Sequence, residues 1–109
     1  MFVFFENIHV QRRKNGLSFS PLYMAAKYGH KDVVILLLKR GADINKGKGN
    51  VYGRTPLHMA AFWGHKGVVR VLLEKGAEVD MKDTFGGTPL SDAAGNGHKQ
   101  VVQLLSGSI

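Results

Sequence analysis

The sequence predicts an all-α fold of about three helix–turn–helix units joined by β-hairpin-like loops, and three observations carry that prediction. Three stretches are nearly the same: Ser20-Pro21-Leu22-Tyr23-Met24-Ala25-Ala26, Thr55-Pro56-Leu57-His58-Met59-Ala60-Ala61 and Thr88-Pro89-Leu90-Ser91-Asp92-Ala93-Ala94. Each leads to a Gly-His pair, at Gly29-His30, Gly64-His65 and Gly97-His98, and then to an apolar run, at 33–38, 68–73 and 101–105. The prolines are spaced by 35 and then 33 residues (56 − 21, 89 − 56).

The first helix of each unit starts at its proline. Ser20, Thr55 and Thr88 can accept from the orphan amides of the first turn. Pro21, Pro56 and Pro89 lie where a missing N–H costs nothing and φ is preset. The alanine pairs Ala25-Ala26, Ala60-Ala61 and Ala93-Ala94 keep this helix slim, so that neighbouring units can approach closely. Gly29, Gly64 and Gly97 then stop it, as glycine does past a helix end.

The second helix carries the apolar load. It holds Val33, Val34, Leu36 and Leu37 in the first unit, Val68, Val69, Val71 and Leu72 in the second, and Val101, Val102, Leu104 and Leu105 in the third. Pairs recurring at three and four residues form one buried stripe. The helix ends at Gly41 and Gly76. Gly41-Ala42-Asp43-Ile44-Asn45 and Gly76-Ala77-Glu78-Val79-Asp80 then lead into an exposed hairpin that reaches the next unit through Gly53 or Gly86. The first hairpin is two residues longer than the second, and the excess lies within Lys46-Gly47-Lys48-Gly49-Asn50. It reads as a tolerated surface insertion, with a basic finger toward an acidic partner as the alternative.

This period, with Thr-Pro-Leu-His-x-Ala at its head, resembles the ankyrin repeat over residues 15–106. The resemblance implies a solenoid in which no unit buries both faces alone, so the core exists only between stacked units. It implies a non-catalytic adaptor or scaffold for protein–protein interaction, with no cofactor. On this reading the chain is a single ankyrin-repeat domain over 1–109. Residues 1–14 are a partial N-terminal repeat or cap, 15–49 repeat 1, 50–82 repeat 2 and 83–109 a truncated repeat 3. Residues 3–11 are similar to 71–80, one residue short, with phenylalanines for leucines. The last unit is only partly polar on its outside, through Asp92, Asn96, Gln100, Gln103 and Ser106. The chain therefore reads as an excerpt of a longer array, or else as a small protein with minimal caps, and some apolar surface at its ends invites weak end-to-end self-association.

The formal net charge is +7, from 15 Lys and Arg against 8 Asp and Glu. That balance suits an acidic partner, nucleic acid or an anionic membrane, with a well-solvated surface as the plainer reading. The basic residues are scattered, however, and only Arg12-Arg13-Lys14 cluster, with Lys46 and Lys48 as a looser pair. Binding of nucleic acid or anionic lipid through those five is the alternative function, and a spacer role within a larger array is another. No apolar run approaches the roughly 18–20 residues of a membrane span. The start Met1-Phe2-Val3-Phe4-Phe5 lacks a basic segment and a cleavage site. Cysteine is absent, which suits a reducing compartment, and an intracellular, cytoplasmic or nuclear setting is expected.

Chemistry is not expected. His30, His65 and His98 recur at the repeat period on helices roughly 8–10 Å apart, too far to converge on a zinc whose bonds are about 2 Å. Each follows the helix-ending glycine and is expected to bond to backbone near its own turn. Ser91 and Asp92 are adjacent on a helix and do not face each other. Gly86-Gly87 and Gly95-x-Gly97 are punctuation rather than a phosphate cradle. In ankyrin repeats His58 occupies the place of a structural histidine bonding across the repeat, and Tyr23 and Ser91 replace it in the other units.

The resemblance implies that partners lie on the concave side, at the hairpin tips and the exposed face of the first helix. The tips hold Leu17, Phe19, Val51, Tyr52, Arg54, Thr84, Phe85 and Gly87, and the positions before each Gly-His hold Lys27-Tyr28, Phe62-Trp63 and Gly95-Asn96. Six of the ten aromatics fall on these free positions: Phe19, Tyr28, Tyr52, Phe62, Trp63 and Phe85. The core slots are already filled by Ala, Val and Leu, so these aromatics, with Lys27 and Arg54 among them, read as a partner surface. The alternative is mutual packing between repeats, with Phe62 partly buried and only Trp63 exposed. The expected partner is a protein, through an extended or acidic segment. Neither a small-molecule substrate nor nucleic acid is expected.

Overall fold

The computed structural model describes residues 20–45 and 52–107. Six helices run through them: α1 (Pro21–Lys27), α2 (Lys31–Lys39), α3 (Pro56–Phe62), α4 (Lys66–Glu74), α5 (Pro89–Gly95) and α6 (Lys99–Ser106). Each short first helix packs on the second helix of its own unit. First helices also pack on first helices, α1 on α3 and α3 on α5, and second helices on second helices, α2 on α4 and α4 on α6. The result is two layers that grow one unit at a time. The segments 3–11 and 46–50, and the residues Leu17, Phe19 and Val51, lie outside the described residues.

The first helices form where the caps dictate. Ser20, Thr55 and Thr88 are extended and accept from the amides of Tyr23 (3.0 Å), His58 (3.3 Å) and Ser91 (3.1 Å). In α3 and α5 the bond is reciprocated, the Thr55 amide donating to His58 Nδ1 at 3.0 Å and the Thr88 amide to Ser91 Oγ at 2.9 Å. A histidine thus does the work usually given to Glu or Gln in a capping box.

The stop explains the Gly-His pair. Gly29, Gly64 and Gly97 each take φ of 75°, the left-handed region that L side chains avoid. The amide of the following histidine then turns back onto the helix, His30 to Ala25 O (2.9 Å), His65 to Ala60 O (2.8 Å) and His98 to Ala93 O (2.9 Å). This is the Schellman closure. It sends the chain directly into the second helix.

The core is Leu22, Ala25, Ala26, Val34 and Leu37 of the first unit, Leu57, Ala60, Ala61, Val68, Val69, Val71 and Leu72 of the second, and Ala93 and Val101 of the third. The middle unit is covered on both sides, and α3 is buried from Pro56 through Ala61. In α6 only Val101 is buried.

Candidate partner-binding surface

The end of each first helix presents two side chains just ahead of the left-handed glycine. On α1 these are Lys27 and Tyr28. Tyr28 is 56% exposed, and the Lys27 ammonium sits 5.3 Å from its ring centroid. On α3 they are Phe62, half-buried, and Trp63, 50% exposed, which meet edge to face at 5.1 Å. On α5 they are Gly95 and Asn96, and Asn96 folds back to donate from Nδ2 to Asp92 O at 2.8 Å. The aromatic character of this row therefore stops after the second unit.

A second group stands on the fingers. Tyr52 and Phe85 belong to successive loops and their rings meet at 5.6 Å. The amide of Thr84 donates to Tyr52 O at 2.8 Å and ties the two loops together. Phe85 is 73% exposed. The Arg54 guanidinium lies 5.1 Å from the Tyr52 centroid.

Asp83 fixes this finger. Its Oδ1 accepts from the amides of Phe85 (2.9 Å) and Gly87 (2.8 Å), and its Oδ2 pairs with Arg54 Nε at 3.4 Å. Burial alone would push this carboxyl up. The amides of Gly87 and Phe85, Arg54 and the nearby His58 together bring it below the ordinary carboxylate value. The finger is anchored in turn to α3, because Gly87 O accepts both the Asp83 amide (2.8 Å) and His58 Nε2 (2.9 Å). The Thr55 amide needs an acceptor at Nδ1, so the His58 proton is assigned to Nε2, which donates to Gly87.

Of the eight residues expected at the surface, Phe19 lies outside the described residues. The other seven fall into three pairs or trios: Lys27 with Tyr28, Tyr52 with Arg54 and Phe85, and Phe62 with Trp63. Phe62 is partly buried, as in the mutual-packing alternative, yet the aromatics beside it and on the fingers stay open to solvent. Arg54, read as a cation placed beside the aromatics, is held by Asp83. Sequence reasoning missed Asp83 as the organiser. Its signal was an aspartate followed by Gly86-Gly87, the pattern of an Asx-type turn. It also missed Asp92, which stands in the third unit where Met24 and Met59 stand in the others. The Asp92 Oδ2 is buried with no hydrogen-bond partner among the described residues, and burial pushes its carboxyl up, against the pull of His58 and Arg54.

A family model described as ankyrin repeats in three copies matches residues 3–83, and a second, described as ankyrin repeats in many copies, matches residues 63–105. The chain belongs to the ankyrin-repeat family. No curated protein matches it. Ankyrin repeats are in general protein–protein interaction modules and in general non-catalytic. Among the described residues no helix is long and apolar enough to cross a membrane.

The ankyrin units are stapled by histidines in a way the sequence reading placed wrongly. His65 and His98 do bond to backbone, but in the preceding unit and not at their own turns. His65 Nε2 donates to Lys27 O at 2.8 Å and His98 Nε2 to Phe62 O at 2.9 Å. The acceptors are the last carbonyls of α1 and α3, which the helix itself leaves unsatisfied. The candidate surface residues Lys27 and Phe62 are thus fixed through their backbones by the unit that follows. Ser91 closes only its own cap with Thr88 and makes no counterpart of the His58–Gly87 bond among the described residues.

Proposed function

We propose that this ankyrin-repeat chain is a non-catalytic adaptor that holds an extended, acidic segment of another protein against Trp63 and Phe62, flanked by Lys27, Tyr28 and the Tyr52–Arg54–Phe85 finger, with repeat units at 15–49, 50–82 and 83–109. One observation carries the reading: Trp63 is half exposed and braced edge-on by Phe62, in a unit whose core is closed on both sides. A large aromatic held rigidly at the surface is a low-entropy anchor, and such residues dominate interface energies.

The test is a lysate pull-down at two salt concentrations with nuclease, comparing the wild type with Trp63→Ala and with Phe62→Ala/Trp63→Ala. The expected result is a protein retained by the wild type at both salts and lost in the variants, with Trp63→Ala alone costing on the order of 2 kcal/mol of affinity. Circular dichroism of Trp63→Ala should match the wild type, since the side chain is a surface one. Retention that disappears with salt or nuclease and ignores the substitutions would move the function to the basic residues Arg12, Arg13, Lys14, Lys46 and Lys48.

A further inference from the structure

Trp63 stands between two residues that are held by one side chain of the next unit. His98 Nε2 donates to Phe62 O at 2.9 Å. The same ring lies on Gly64, where a Cβ would meet Nδ1 at 2.6 Å and Cε1 at 2.7 Å. The residue before Trp63 is thus bonded, and the residue after it covered, by a single imidazole. The first unit repeats the arrangement. His65 Nε2 donates to Lys27 O at 2.8 Å, its Nδ1 lies 2.7 Å from where a Cβ on Gly29 would stand, and Tyr28 is the residue between.

Trp63 needs a hold from outside its own helix. It is the C-cap of α3, at φ −93° and ψ 0°, beyond the last helical residue of a seven-residue helix. Such an end frays readily, because the final carbonyls find no partner within the helix. The turn itself supplies the Trp63 amide to Met59 O and the Gly64 amide to Ala61 O, both at 3.2 Å, the long end of the N–H···O range. Phe62 braces the indole edge-on, but Phe62 is itself the residue whose carbonyl His98 holds. His98 precedes α6 and gives that helix no side-chain cap bond. Its ring therefore serves α3 and not its own helix.

We propose that His98 is the positioning residue of the Trp63 anchor, fixing the indole when the third unit docks on the second. The inference rests on the reading of Trp63 as the residue a partner grips. It makes the docking of the third unit a control on the binding site of the second. An indole ordered beforehand has less freedom to lose on binding. The coupling is reciprocal, so a partner on Trp63 tightens the hold of α6 on α3.

Trp63 is the only tryptophan of the chain, so time-resolved fluorescence anisotropy reads the anchor with no partner present. In the wild type the decay should follow tumbling of the whole molecule alone. His98→Ala should add a faster component from local motion of the indole, and His98→Asn, whose amide is too short to reach Phe62 O, replaces it if circular dichroism shows His98→Ala unfolded. His98→Gln keeps an N–H donor at a similar reach and should suppress the fast component. Val101→Ala removes buried packing from α6 and keeps His98, so it controls for a weakened third unit and should decay like the wild type. A His98→Ala decay without the fast component would overturn the proposal. So would a His98→Gln or Val101→Ala decay as fast as that of His98→Ala. In the pull-down, His98→Ala should weaken retention of the captured protein roughly two- to tenfold, and His98→Gln should restore it; unchanged retention beside a mobile indole would overturn the control of binding. A wild type that retains no protein rejects the adaptor reading instead, since the anisotropy decides what holds Trp63 without any partner.

Discussion

His58 joins two ankyrin repeats through one buried ring. Nδ1 takes the Thr55 amide, Nε2 reaches Gly87 O, and the side chain is fully buried. His58→Ala strands a buried amide and leaves a cavity, which should lower stability by about 3 kcal/mol in urea unfolding at unchanged m-value. Asp92 argues the other way. Its raised pKa means that the folded state holds the proton more tightly than the unfolded chain, whose value is 3.8. Protonated below pH 3.8, the group costs nothing extra. As the pH rises from there through the raised folded value, stability falls, and the penalty is fully present above it. Asp92→Met restores the residue of the other two units at this position. It should stabilise the protein at pH 7 and make little difference at pH 3, read as the gap between variant and wild-type urea midpoints. A gap of the same size at both pH values would remove burial of the charge as the cause.

At the scale of the element, the Gly-His turn does two things that single substitutions can separate. Gly64 and Gly97 share a φ of 75°, but only Gly64 has an imidazole lying on it. Gly97→Ala should cost about 1 kcal/mol, the left-handed strain of an L residue alone. Gly64→Ala bears the same strain and also displaces His98 from Phe62 O, so its cost should be at least about twice as large. Chemical denaturation of the two variants side by side gives the difference. Equal losses would mean that the His98 staple contributes nothing.

For the whole molecule, packing runs from unit to unit, so protection should follow position in the stack. The second unit is covered by neighbours on both sides, while the third leaves Leu90 and Ala94 open. Amide hydrogen exchange should therefore be slowest in α3 and α4 and faster in α5 and α6 under native conditions. Uniform protection across the six helices would show instead that the chain opens only as a whole.

Much of this was legible in the sequence. The prolines, the capping Ser20, Thr55 and Thr88, and the glycines before the histidines fix where each helix starts and stops, because caps and left-handed turns act within a few residues of chain. The period fixes how many units there are, and the Val and Leu stripe which face of α2, α4 and α6 is inward. The free positions singled out the aromatics and Lys27 as candidates, since no local duty explained them. The partnerships across units belonged to the tertiary structure alone. It gave Arg54 to Asp83, sent His65 and His98 to carbonyls in the preceding unit, and buried one oxygen of Asp92. Those contacts join residues roughly one repeat apart, where distance is set by how the helices stack, and near-identical motifs acquire different roles through the neighbour each one has.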